Sequence, residues 1–151
     1  KAGTDGLIVV DVPPEEDSEI ADLAKKNKID LIKLATPTTN VERLKKILKT
    51  CSGFLYYVAI KGITGSKSAD PKLVKKSIKS IKKNTTIPVA VGFGIKRPID
   101  AATIAKTGCD GIVVGSALVK IIENSLKNKK SKHNIALKVG NMVKNIKQKI
   151  K

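Results

Sequence analysis

Five short runs of apolar residues punctuate the chain: Leu7 to Val10, Leu31 to Leu34, Phe54 to Ile60, Val89 to Val91 and Ile112 to Val114. Each is too short for a helix and rich in β-branched side chains, so each predicts a buried strand. Between them the apolar positions change period. Ile20, Leu23 and Ala24 fall on one helical face, Val41, Leu44, Ile47 and Leu48 on a second, and Leu73, Val74, Ile78 and Ile81 on a third. Helix-starting residues stand where these faces begin: Asp17-Ser18, Thr38-Thr39-Asn40 and Ala69-Asp70-Pro71. Their side-chain oxygens suit first-turn amides, and proline suits the first helical position. After Ser131, the residues Ile135, Val139, Met142, Val143, Ile146 and Ile150 describe one long amphipathic helix. The strands recur roughly every 23 to 25 residues, with a longer interval around Gly62 to Asp70, and this alternation predicts βα units on a parallel sheet.

One local repeat bears on where in a fold the chain sits. The segment from Lys1 to Val10 matches that from Lys106 to Gly115. In the second copy, lysine and glycine close a helix that starts near Pro98-Ile99-Asp100, with Gly108 as the left-handed cap before the next strand. By analogy Lys1 to Gly3 ends a helix whose body is absent, so the chain is expected to begin mid-fold. Five βα units can form an open doubly wound sheet at this length, whereas an eightfold barrel takes about 250 residues. The mid-fold start and the motifs below favour the C-terminal five βα units of a (β/α)8 TIM barrel. On that reading residues 1–151 form a single partial domain without its N-terminal strands.

Composition changes this picture little. The net charge of +17 raises the question of a nucleic-acid or membrane-surface partner. Only Arg43 and Arg97 are arginines, however, and the aromatic set is Phe54, Tyr56, Tyr57 and Phe93. Base-edge readout favours arginine forks and single-strand binding favours aromatic platforms, so the lysines read as solvated helix faces. No run reaches the roughly 18 apolar residues of a membrane-spanning helix. Cys51 and Cys109 lack metal-type spacing and read as small buried hydrophobes of a reducing compartment, which favours a cytoplasmic location. His133, among lysines, reads as solvent-facing.

The chemistry is expected beyond the carboxyl ends of the strands, where parallel α/β folds bind ligands. Three glycine-rich turns fall there: Gly62-Ile63-Thr64-Gly65, Gly92-Phe93-Gly94-Ile95 and Gly115-Ser116. Glycine lets backbone amides approach an anion closely. Gly115-Ser116 also opens a helix, whose free amides and positive dipole end suit phosphate. Three such turns at successive strand ends point to one phosphate site.

The motifs then become specific. Asp5-Gly6-Leu7-Ile8-Val9-Val10-Asp11-Val12-Pro13-Pro14-Glu15-Glu16 resembles the fourth-strand segment of tryptophan synthase α subunits, and Leu34-Ala35-Thr36-Pro37-Thr38-Thr39 is similar to that family's fifth strand end. Gly53-Phe54-Leu55-Tyr56-Tyr57 with Gly62-Ile63-Thr64-Gly65 resembles the sixth strand and its loop. Val91-Gly92-Phe93-Gly94-Ile95 and the segment from Gly115 to Ile122 complete a match in order and spacing over nearly the whole chain. The resemblance implies a lyase of tryptophan biosynthesis that splits indole-3-glycerol phosphate into indole and glyceraldehyde 3-phosphate by a retro-aldol reaction. It implies that Gly65, Gly92, Gly94, Gly115 and Ser116 hold the phosphate, and that Tyr56, Thr64 and Phe93 line the pocket. Asp11 and Pro13 would lie near the interface with a β subunit, which carries pyridoxal phosphate in a heterotetramer. The α subunit itself uses no cofactor.

Two features depart from the pattern. The reaction needs a general acid and a general base. The family's glutamate and aspartate for those roles lie on earlier strands, so this chain is expected to hold no catalytic residue and to be inactive alone. Lys33 and Lys61 are also unusual. A lysine facing a barrel interior would need a partner or would have to snorkel to the mouth; either one can instead point outward to helices and solvent. The competing readings are another phosphate-sugar barrel, an isomerase or epimerase, and a lysine-rich nucleic-acid-binding module.

Overall fold

The computed structural model describes residues 3–59, 70–92, 94–128 and 131–150. Strands β1 (Gly6–Ile8), β2 (Asp30–Ala35), β3 (Leu55–Val58), β4 (Val89–Gly92) and β5 (Gly111–Val113) alternate with helices α1 (Ser18–Lys26), α2 (Val41–Thr50), α3 (Pro71–Lys82), α4 (Pro98–Ala105) and α5 (Ser116–Lys127), and α6 (Lys132–Lys149) follows. The first and third strands are shorter than the apolar runs suggest, leaving Val9-Val10 and Phe54 outside them. The sheet is all parallel, in the order β1-β2-β3-β4-β5. A doubly wound sheet reverses direction at a switch point, whereas a barrel wall always advances the same way. Right-handed crossovers that advance in one direction keep every helix on one face. The observed order therefore selects the barrel wall.

Side-chain alternation shows which face is which. Leu55 and Tyr57 of β3 and Val89 and Val91 of β4 are buried with Leu44, Ile47, Val74, Ile78, Ile81, Ala101 and Ile104 from the helices. Their neighbours Tyr56, Val58 and Ala90 point the other way and are only half-buried. One row across the sheet joins Lys33, Leu55 and Val89, so Lys33 lies on the helix-facing side. At the margin, β1 pairs on one side only, and Leu7 and Ile8 are 40% and 48% exposed.

The helix ends follow local chemistry. Asn40 Oδ1 accepts from the Arg43 amide at 2.8 Å and Asp70 Oδ1 from the Lys72 amide at 2.9 Å. Both are N-caps of the expected kind, and Ser131 caps α6 likewise. Asp17 differs. It precedes α1, but its side chain caps no amide there. Gly108 adopts φ +90 after α4, the expected left-handed cap, and Gly3 adopts φ +71 at the matching place in the repeat. The helical stripes are narrower than their apolar content. Leu23, Val41, Leu73, Val143 and Ile150 are exposed, because each lies at the rim of its stripe while Ala24, Leu44, Val74 and Ile146 occupy the centre. His133 is exposed, and no helix among the described residues is long and apolar enough to cross a membrane.

Candidate functional site

Cavities open at the carboxyl ends of the strands, and two of them are lined by residues that the sequence assigns to a site. The one beside β4 and β5 has a volume of about 610 Å³ and is lined by Tyr56, Gly94, Ile95, Lys96, Val113, Gly115 and Ser116. The fold brings Tyr56, Gly94, Gly115 and Ser116 together although they are distant in sequence. Residues 60–69 and 93 lie outside the described residues, and with them Gly65, Thr64, Lys61 and Phe93.

The three described glycines have three different reasons for being glycine. Gly94 sits at φ +71, a conformation that costs an L-residue roughly 1–2 kcal/mol. Gly92 is buried at the end of β4, where a Cβ would run into the ring and hydroxyl of Tyr56. Gly92 makes room for Tyr56, which lines the cavity. Gly115 has neither constraint. Its φ is −115, and a Cβ there would meet no atom of the described residues within 4 Å. The space it leaves open belongs to the cavity.

That space adjoins an uncapped helix start. No side chain caps α5, and its first intrahelical bonds run from the Leu118 and Val119 amides to the Gly115 carbonyl at 2.9 and 3.2 Å. The amides of Ser116 and Ala117 precede those bonds, at the positive end of the helix dipole. Lys96 adds a full positive charge to the same wall. The glycine turn drew attention in the sequence and Lys96 did not, although a cation two residues beyond Gly94 was the available signal. The segment carrying it is fixed at its far end. The Asp100 carboxylate accepts from the Arg97 amide at 3.0 Å and from the guanidinium at 2.7 Å. Arg97 thereby holds the Asp100 carboxyl below the usual carboxylate range.

The second cavity, of about 370 Å³, lies beside β1 and β2 and is lined in part by Asp11, Pro13, Lys33, Leu34 and Arg43. Here side chains do the building. Lys33 is buried among apolar neighbours, only 4% exposed, where an unpaired ammonium would be very costly. Its partner is Asp17, itself 1% exposed, which also accepts from the Thr50 hydroxyl at 2.9 Å. Of the alternatives open to Lys33, the structure selects the outward one: it points to the helices, into a buried ion pair. Asp17 is spent on that pair, which explains why it caps nothing. On the surface above, Glu15 accepts from Arg43 at 2.7 Å and Lys46 at 3.2 Å. These bonds, Lys46 first, hold the Glu15 carboxyl below its ordinary value. The thiols of Cys51 and Cys109 sit away from both cavities, and burial pushes both upward in pKa, as small structural hydrophobes require.

The family model described as "Tryptophan synthase alpha chain" matches residues 1–151. The tryptophan synthase alpha chain of Novosphingobium aromaticivorans is 52% identical over 122 residues, which cover 81% of this chain and 46% of that one. Among solved structures, the tryptophan synthase subunit alpha of Legionella pneumophila superposes with a TM-score of 0.83 at 34% identity, covering 99% of this chain and 53% of that one. A Pyrococcus furiosus structure, described as a tryptophan synthase a2b2 complex, gives 0.80 at 34% identity, covering 95% and 56%. The chain therefore spans about half the length of these relatives, between 46% and 56%. Motif order, barrel-wall topology and sequence match agree, and the chain belongs to the tryptophan synthase alpha chain family.

Proposed function

We propose that the protein carrying this chain cleaves indole-3-glycerol phosphate to indole and glyceraldehyde 3-phosphate in tryptophan biosynthesis, and that these residues supply its phosphate-binding half. The carrying observation is the cavity at the start of α5. Gly115 leaves room that no atom of the described residues fills, the Ser116 and Ala117 amides precede the first helical bonds, and Lys96 stands on the wall. A phosphate there gains amide hydrogen bonds, the helix dipole and one cation. Tyr56, held across Gly92, forms the apolar side of the cavity toward the organic part of the substrate.

On this reading residues 1–151 are one partial barrel domain. The acid and base of the retro-aldol step come from strands elsewhere in the polypeptide, as the family resemblance implies. The chain contributes binding and orientation, which leave the substrate close to those groups without a proton moving at its own atoms. The partner is a β subunit holding pyridoxal phosphate, which takes up the indole; the Pyrococcus furiosus relative, described as a2b2, supports this assembly. Asp11 and Pro13, on the wall of the cavity beside β1 and β2, are assigned to that interface.

The test is to assay the full-length protein and residues 1–151 side by side with indole-3-glycerol phosphate. Indole release by the full-length protein and none by the shorter piece is expected. Cleavage by residues 1–151 unaided would overturn the division of labour, and no cleavage by the full-length protein would overturn the assignment.

A further inference from the structure

The loop after β1 is tied down twice, and the two ties differ in kind. It turns at Pro13–Glu16, closed by the Glu16 amide on the Pro13 carbonyl at 2.9 Å. Glu15 at the tip reaches Arg43 and Lys46 of α2 across solvent, with about two-fifths of the Glu15 and Arg43 side chains exposed (43% each). Exposed pairs of this type hold weakly and are screened by salt. Asp17, where the loop ends, is bound inside the protein to Lys33 of β2 and Thr50 of α2. Its other oxygen, Oδ1, is buried with no hydrogen-bond partner among the described residues. A buried pair anchored in the middle of a paired strand has no comparable freedom. Such pairs add little net stability over an apolar replacement, so their use lies in fixing one arrangement.

We propose that Asp17 and Lys33, aided by Thr50, are positioning residues that lock the Pro13–Glu16 turn to β2 and α2 and so hold Asp11 and Pro13 in place on the cavity wall. Lys33 lines that same cavity through its strand position, so a change in the pair is felt at both the turn and the wall. The surface pair of Glu15 trims the turn, while the buried pair sets its place.

The experiment replaces the pair by apolar groups of similar size, Asp17→Leu with Lys33→Met, in the full-length protein. A purely structural pair predicts near-normal thermal stability and no other change. Positioning predicts near-normal stability with about tenfold faster hydrogen exchange at the Asp11, Val12, Glu15 and Glu16 amides, while the β2 and α2 amides keep their protection. Unchanged exchange over those residues overturns the proposal. Should the double variant fail to fold, Thr50→Val removes one bond without burying a charge. It is expected to speed the same amides about twofold to fivefold, and no change again overturns the clamp. Lys33→Arg, which keeps the charge, is expected to retain slow exchange. A second arm rests on the proposed function: affinity for the β subunit should fall about tenfold in the double variant. A loosened turn with unaltered affinity would leave the clamp standing and remove Asp11 and Pro13 from the interface.

Discussion

Two cavities at the carboxyl end of the sheet are built by opposite means. Beside β1 and β2 two charged side chains of the wall, Lys33 and Arg43, are each paired with a carboxylate outside the lining: Lys33 with Asp17, and Arg43 with Glu15. Beside β4 and β5 the wall is made largely of what is missing, a Cβ at Gly94 and Gly115 and a cap on α5. The first arrangement pairs its buried cation with a carboxylate and fixes a shape. The second leaves the first α5 amides and Lys96 without partners among the described residues, which is what a site for an anion requires. Polar groups at a strand end therefore do not identify a binding site by their presence. The relevant question is whether they already have partners.

The largest effect should come from unbalancing the ion pair beside β1 and β2. Asp17→Ala leaves the Lys33 ammonium buried without its carboxylate, and a loss of about 3–5 kcal/mol is expected from urea denaturation. A loss below about 1 kcal/mol would mean that Lys33 finds water, and the contrast with the cavity beside β4 and β5 would weaken. Gly115→Val should behave in the reverse sense. Nothing among the described residues opposes the added side chain, so the denaturation midpoint should hardly move, yet inorganic phosphate binding measured by calorimetry should fall at least about tenfold. Gly92→Ala separates packing from ligand contact: it should lose stability by about 1–3 kcal/mol, because Tyr56 must move.

A smaller change is expected at Lys96. Its side chain is exposed, so Lys96→Ala should lower phosphate affinity only about fivefold at low salt, and the difference should shrink as ionic strength rises. Equal affinities at low salt would take Lys96 out of the site. The smallest effect concerns acid. Asp100 is held below its ordinary pKa by Arg97, so its contribution to stability is complete above the unfolded value near ~4 and disappears as pH falls through the lower folded value. Asp100→Asn should therefore flatten the loss of stability between about pH 4 and the lower folded value, with the remainder of the acid limb unchanged. Denaturation midpoints collected down that limb for the variant and the unmodified protein would show it, and superimposable curves would contradict it.

Much of the architecture was legible along the chain because it depends on neighbours in sequence. Five apolar runs became five strands, Asn40, Asp70 and Ser131 became caps, and Gly108 took its left-handed turn. Period, capping and glycine conformation are local properties, and residues a few positions apart settle them. The family's motifs were legible for the same reason, as short strings with fixed spacing. The order of the strands was not local. Alternating βα units fit a barrel wall or a doubly wound sheet equally well, and only the pairing register, advancing from β1 to β5 without reversal, separates them.

Partnership was decided in three dimensions as well. Asp17 has the composition and position of a helix cap, and Lys33 looks out of place in an apolar strand; neither oddity explains itself until the fold sets one against the other. Gly92, Gly94 and Gly115 look alike in the sequence, yet one yields to a tyrosine, one to a backbone angle and one to open space. A residue type states what a side chain can do. The free energy of doing it depends on whether water, another side chain or a cavity lies opposite, and only the packed structure supplies that.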